Sequence, residues 1–345
     1  MSTDDGRPGG ANGNVTGAPT LEDVARAAGV SRATASRAIN GGALVSQETR
    51  DAVTRAVVDL GYAPNQAARM LVTKRSGVLG VLVPETDLRV FSDPFFASVY
   101  HGVVSAFTDH DAQVVLAMSK PGQPAETMLS YLTSGRIDGA VIVSHHGTDL
   151  ARATSRLTQP VVFIGDPGVG GLPYVDVDSV QAAQVATRHL IGQGCRRITT
   201  ITGAMDMPAG RQRQQGFLDA LAEAGLEPAG VAHGNFTDAG GRTAARELLE
   251  ASPDLDGIFA ASDLMAAGAM RVLSEAGYRV PADVRVVGFD DSEASRQTTP
   301  PLTTMTGRAH EMARIAGRML RNSLAGRPFT YPVILNSELV PRASA

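Results

Sequence analysis

At Gly77 the hydrophobic period of this chain changes, and that change constrains the fold more than any other feature. Upstream, from Thr20, apolar residues recur at three- and four-residue intervals in short blocks broken by glycine. Downstream, GVLGVLVP, AQVVLAMS, GAVIVS, PVVFIG, ITTITG, GIFAAS and VRVVGFD are nearly continuous apolar, β-branched runs. Between them lie stretches with helical spacing: FFASVYHGVVSAFTDH, AETMLSYLTSG, VQAAQVATRHLIGQG, RQRQQGFLDALAEAG, GGRTAARELLEAS and LMAAGAMRVLSEAG. Apolar strands that alternate with helices make parallel sheets covered on both faces. Some thirteen such elements over about 270 residues exceed one small doubly wound sheet, so two similar α/β lobes are expected.

The 345 residues and 43% hydrophobic content support two or three domains with a real core. No apolar run reaches the ~18 residues of a membrane span. Residues 1–19 contain Asp4, Asp5 and many glycines without an apolar stretch, so a disordered tail is expected rather than a signal peptide. Cys195 is the only cysteine, which excludes an intrachain disulfide and fits a reducing cytoplasm. The net charge of −4 argues against nucleic acid, but its distribution reverses that. Thr20 to Arg75 holds eight Arg/Lys against five Asp/Glu, a balance of +3. Positive charge is concentrated where phosphate binding would need it.

Within that basic segment Thr20 is an N-cap with Asp23 three residues on, and a first helix is expected over Leu21 to Ala28. Gly29 supplies a turn. Ser31 caps a second helix over Arg32 to Asn40, rich in small residues. Gly41 and Gly42 stop it, Ser46 caps a third helix, and Gly61 ends that one. Helix, glycine turn, helix is the unit that places its second helix in a DNA major groove. Beyond the turn Tyr62-Ala63-Pro64-Asn65, the segment NQAARMLVTKRS is polar, basic and too short to be stable as an isolated helix.

LEDVARAAGVSRATASRAINGG, VSQETRDAV and LGYAPNQAARML resemble the headpiece and hinge of the lactose/galactose repressor family, and the later strand–helix motifs extend that resemblance to nearly the whole chain. The resemblance implies a helix-turn-helix headpiece at 20–64, a hinge at 65–76 and a periplasmic-binding-protein-like core at 77–345. One lobe would comprise about 77–176 and 308–330, the other 177–304 and 331–345 with the strand near Val333. It makes Arg32, Ala33 and Arg37 the base readers. Thr20, Ser31, Thr34, Ser36, Asn40, Ser46, Tyr62 and Asn65 become phosphate contacts or positioning groups, and Leu71 the wedge that kinks DNA. Ala35 stands where the family usually has valine. Ala33 has no hydrogen-bonding group, so Arg32 and Arg37 should carry the hydrogen-bonded readout.

Ligands of such cores sit at the carboxyl ends of the strands, between the lobes. There the sequence places Phe95 and Phe96, Ser144-His145-His146, Asp166, Arg213, Phe236, Ser262-Asp263 and Phe289-Asp290-Asp291. Arg213, Phe236, Ser262 and Asp290 match effector-contacting positions of the resembled family. Ser262 replaces its common asparagine, and Gly165 stands at its aspartate, with Asp166 next. Aromatic faces, carboxylates and an arginine suit a sugar, while Phe95 and Phe96 would equally stack on a purine.

Other chemistry is disfavoured. His145 and His146 are adjacent on a strand end and would point apart, so no metal site is expected. Asp290, Asp291 and Glu293 suit hydroxyl recognition better than hydrolysis. Cys195 precedes a buried strand without an evident histidine base. GDPGVGG lacks the GK[ST] of a phosphate loop and reads as a surface loop. The expected protein is a cytoplasmic, cofactor-free, non-enzymatic DNA-binding regulator, most often a repressor in this family. It would be a homodimer on a pseudo-palindromic operator and would answer to a small molecule. Dimerisation rests here on the family and on operator symmetry. A sugar-binding transport receptor is the alternative of another class.

Overall fold

Capping decides where the N-terminal helices begin. In the computed structural model, which describes residues 19–39, 45–63, 75–120 and 123–345, Thr20 Oγ1 accepts from the Asp23 N–H at 3.3 Å. The Asp23 carboxylate accepts in return from the Thr20 N–H at 3.0 Å. This reciprocal box opens α1, Leu21–Ala27. Gly29, at a left-handed φ of 67° that other residues resist, turns the chain into α2, Arg32–Ile39. Ser46 caps α3, Gln47–Leu60, through the Thr49 N–H. Val24, Ala25, Ala35, Val53 and Ala56 form the small core of this unit. Ala35 is wholly buried, so the small side chain sets how closely α2 approaches its neighbours. Ala28 is the C-cap of α1 rather than its last residue. The tail at 1–18, Asn40 and the hinge segment at 64–74 lie outside the described residues.

Residues 75–345 form a second compact unit. Its strands in chain order are β1 (Val78–Val83), β2 (Gln113–Met118), β3 (Gly139–Val143), β4 (Val161–Ile164), β5 (Tyr174–Val177), β6 (Ile198–Thr202), β7 (Gly230–His233), β8 (Gly257–Ala260), β9 (Arg285–Asp290), β10 (Thr303–Thr306), β11 (Val333–Leu335) and β12 (Leu339–Val340). They make two six-stranded sheets, ordered β11-β5-β4-β3-β1-β2 and β12-β10-β9-β8-β6-β7. All pairings are parallel except β10 with β12. The apolar runs read from the sequence are the inner strands, apart from AQVVLAMS, which is the half-buried edge strand β2, and β3, β4 and β8 are buried along their whole length.

Helices pack in pairs over the sheets: Pro94–Ser105 with Ala309–Leu324, Ser179–Gly192 with Pro208–Glu223, and Asp238–Ala251 with Asp263–Glu275. Glycine sits at the tightest crossings. A Cβ at Gly102 would lie 2.4 Å from the His310 carbonyl oxygen, and one at Gly216 would lie 2.1 Å from that of Val180.

The strand at Val333 departs from the expected second lobe. It pairs in parallel with β5, Val333 opposite Val175, and therefore belongs to the first sheet. The physical reason is the preceding helix, Ala309–Leu324, which packs on β3, β4 and β5. Packed on that sheet, the helix delivers the strand that follows it to the free edge beside β5. Leu339–Val340 pairs in the second sheet instead, and Ser344 beyond it is hydrogen-bonded to β9 and β10. The chain thus passes between lobes after β5, after β10 and after β11, and the carboxyl ends of both sheets face the space between them.

Candidate nucleic-acid interface and effector cleft

On α2 the side chains of Arg32, Ala33 and Arg37 are exposed while Ala35 faces inward. Four-residue spacing puts Ala33 and Arg37 on one face, and Arg37 Nε donates to the Ala33 carbonyl at 3.2 Å. Arg32 Nε lies 2.7 Å from Glu22 Oε1. Thr34 and Ser36 are half-buried. Three of the hydroxyls expected at phosphates are used as caps. Ser31 Oγ accepts from the Thr34 N–H at 3.1 Å, and Thr20 and Ser46 cap α1 and α3. Tyr62 is half-buried against the headpiece core. Asn40, Asn65 and Leu71 lie outside the described residues. The exposed face of α2 leads to one prediction: Arg37→Ala should cost roughly 1–3 kcal/mol on a cognate site and far less on random duplex. Fluorescence anisotropy against both DNAs checks it, and equal losses on the two would refute base reading by Arg37.

The second unit contains a cleft of about 520 Å³ between the lobes, within the ~300–1,000 Å³ usual for small-molecule sites. Asp93, Phe95 and Ser98 line it from the first lobe, Asp290–Glu293 and Arg296 from the second, and Arg308–Glu311 from the crossover. Behind Asp290 lies Arg213, 8% exposed. Its guanidinium lies 3.5 Å from the centroid of the Phe289 ring and 5.7 Å from that of Phe236. It donates to the Ala261 carbonyl at 2.6 Å and stands 3.8 Å from Asp290 Oδ1. Burial pushes the Asp290 carboxyl well above the usual carboxylate range, and the Arg213 charge only partly offsets this. Asp290 also takes a left-handed φ of 119°, a strained backbone of the kind found at ligand sites.

The neighbouring charges have fixed partners. Asp291 pairs with Arg342 and Arg296. Asp93 caps its helix through the Phe95 N–H and pairs with Arg89 at 2.7 Å. Arg308 pairs with Glu311 at 2.7 Å. Asp263 accepts from Ser292 N–H at 2.7 Å and from the Thr304 hydroxyl at 2.5 Å, and burial raises it to about 6. Among the described residues, Asp290 is therefore the carboxyl of this cleft that pairs with a buried arginine alone.

The sequence-nominated residues divide on this geometry. Phe95 and Asp290 line the cleft, with Arg213 and Phe236 behind Asp290. Phe96 does not line it. It is 3% exposed and packs in the core, because consecutive helical residues point about 100° apart. Asp166 spends a carboxylate oxygen on the Gly168 N–H at 2.8 Å, closing its own turn. Ser262 caps the helix Asp263–Glu275 through the Met265 N–H. Phe289, placed by the sequence at a strand end without a role, is the shelf under Arg213, while Asp93 and Arg308 on the rim were not foreseen. The SDPFF motif held a hint of Asp93, since Asp-Pro is a helix-start signal. His145 and His146 do diverge: the His145 ring is buried edge-on against Phe163, while His146 turns outward. Cys195 is buried, and its thiol is pushed up by that burial.

Residues 20–65 match the family model of bacterial regulatory proteins of the lacI family, and residues 187–345 match that of a periplasmic binding protein-like domain. The HTH-type transcriptional regulator CelR of Thermobifida fusca is 43% identical over 336 residues, 94% of this chain and 98% of that protein. The chain belongs to the lacI family. A second lacI-family relative, the transcriptional repressor CytR of Escherichia coli K12, is 31% identical over 95% of this chain and 96% of its own. Among solved structures, a CelR–cellobiose complex has a TM-score of 0.73 at 40% identity, covering 95% of this chain and all of that one. A Lac repressor dimer bound to operator and the anti-inducer ONPF has a TM-score of 0.84 at 26% identity, covering 94% and 98%. Like these relatives, the chain is a DNA-binding transcriptional regulator with a helix-turn-helix headpiece and a two-lobed α/β core. No helix among its described residues is long and apolar enough to cross a membrane.

Proposed function

We propose that this regulator is a homodimeric repressor whose operator affinity is set by a cellobiose-type disaccharide held between the lobes. The carrying observation is the buried Arg213 guanidinium, laid on Phe289 and facing Asp290 at the carboxyl end of β9. An arginine donates to sugar hydroxyls, a carboxyl accepts from them, and Phe95 offers an apolar face. The structure of CelR with cellobiose supports a disaccharide. The purine alternative needed two stacking rings, and with Phe96 turned into the core one remains. A transport receptor would have no use for the headpiece. Support for the homodimer comes from the Lac repressor dimer on its operator and from the apolar edge strand β2, where half-buried Val115, Leu116 and Met118 adjoin the exposed ring of Tyr131.

An effector touching both lobes changes operator affinity only by as much as its own affinity differs between the two lobe arrangements. Selection of random duplexes by the full-length protein is expected to return a pseudo-palindrome. Adding cellobiose should then shift binding to that site, with glucose and adenine weaker or inert. A lone half-site would defeat the dimeric reading, and indifference to cellobiose would defeat the effector.

A further inference from the structure

The lobes are also joined at the carboxyl ends of β1, β3 and β6. Ser144, at φ 60°, and Gly147, at φ 55°, bend the turn after β3 so that His146 stands out from the first lobe. Its Nε2 lies 3.0 Å from Oε1 of Glu85, which follows β1 in the same lobe. Ser144 Oγ donates to that same oxygen at 2.7 Å, so Glu85 is held in place. The other ring nitrogen, Nδ1, lies 2.9 Å from Oδ2 of Asp206, which follows β6 in the second lobe. Beside it the Gly147 N–H donates to the Asp206 carbonyl at 2.9 Å. One imidazole thus faces a carboxylate of each lobe. Strand β6 is separated from β9, which carries Asp290, by β8, so this contact and Asp290 occupy different strand ends, while Arg213 and Phe95 lie on the helices that follow β6 and β1.

We propose that His146, with Glu85 and Asp206, is a latch between the lobes that favours the closed cleft and thereby sets how strongly the regulator responds to its effector. The effector arm rests on the functional reading above, while the latch itself does not. An imidazole donates to two carboxylates only when both nitrogens carry protons, that is, as the cation. The hydrogen bond to Glu85, followed by that to Asp206, raises His146 to about 9. The other charges around it are Arg89, which acts on Glu85, and His145, which burial holds neutral and on which Asp166 also acts. A raised histidine stabilises the arrangement that raises it. The latch is therefore complete below the ordinary pKa of 6.5 and is lost as pH rises through about 9.

The test uses the full chain with spin labels on Arg152→Cys in the first lobe and Glu247→Cys in the second, both exposed positions; Cys195 is buried. Distances are read without effector between pH 6.5 and 9. The parent should show one short separation at pH 6.5 and a broader, longer one at pH 9. His146→Gln should show the long distribution throughout. His146→Lys, which stays charged over this range, should restore the short one at both pH values. Cellobiose affinity should fall about fivefold in His146→Gln, in keeping with a half-exposed ion pair. Identical distances and pH profiles in the parent and His146→Gln would overturn the latch. Failure of the parent to bind cellobiose would instead overturn the effector reading and leave the distance result to decide the latch.

Discussion

Replacing Arg213 with methionine is expected to leave a protein that holds its operator and no longer senses its effector. Methionine roughly fills the space of the side-chain stem but brings no donor and no charge. The lost guanidinium is almost fully buried, and Nε has no partner among the described residues. A buried donor without an acceptor is costly, by about 1–3 kcal/mol, and a ligand oxygen is the natural group to satisfy it. Without Arg213, Asp290 loses its facing cation and becomes more reluctant to ionise. Truncating one partner of a buried polar pair in a binding site costs about 2–5 kcal/mol. Cellobiose affinity should therefore drop roughly thirtyfold or more in calorimetric titration. Operator affinity without effector should stay within a few-fold, because the headpiece is a separate compact unit. Operator affinity should then be the same with and without cellobiose. Unchanged cellobiose binding by Arg213→Met would show that the effector lies elsewhere.

What the sequence made legible was local chemistry. Thr20 with Asp23, Ser46 with Thr49, and the left-handed Gly29 and Gly61 are caps and turns made by neighbours, so the headpiece helices could be placed within a residue or two. The long β-branched runs were equally plain. The strands that escaped notice are polar or short. In β10 both Thr303 and Thr304 are wholly buried, which hydropathy alone would not suggest. They tolerate it because Thr304 donates to Asp263, and the Thr303 N–H donates to Ser344, partners about 41 residues away. Strand β5 hides Asp176, raised to about 6 by burial and held by the Asp166 and Val177 N–H groups. The same holds for the cleft. Arg213 and Asp290 could be nominated singly, but Phe289 became a shelf only once the fold brought its ring beneath the Arg213 guanidinium. Whether Phe95 or Phe96 faced the cleft depended on a helical phase that no adjacent pair reveals.

Phe289 gives the second large effect, and one residue there serves both stability and recognition. Its ring is wholly buried and belongs to the main core cluster, so Phe289→Ala should cost about 3–5 kcal/mol in urea unfolding. A loss of effector binding in that variant would be ambiguous, since a loosened lobe binds poorly for many reasons. Phe289→Leu separates the two roles. Leucine keeps most of the volume, and such exchanges usually cost less than about 1.5 kcal/mol. It has no π face, however, and the Arg213 guanidinium lies 3.5 Å from the present ring centroid. A desolvated cation–π contact contributes about 2 kcal/mol. The leucine variant should therefore unfold almost like the parent while binding cellobiose about tenfold or more weakly. If it instead binds normally, the ring merely fills space, and Arg213 is aimed by its other contacts, the Ala261 carbonyl, Asp290 and Phe236. A weakened but stable Phe289→Leu protein would show that the core of this lobe is built around the orientation of one arginine.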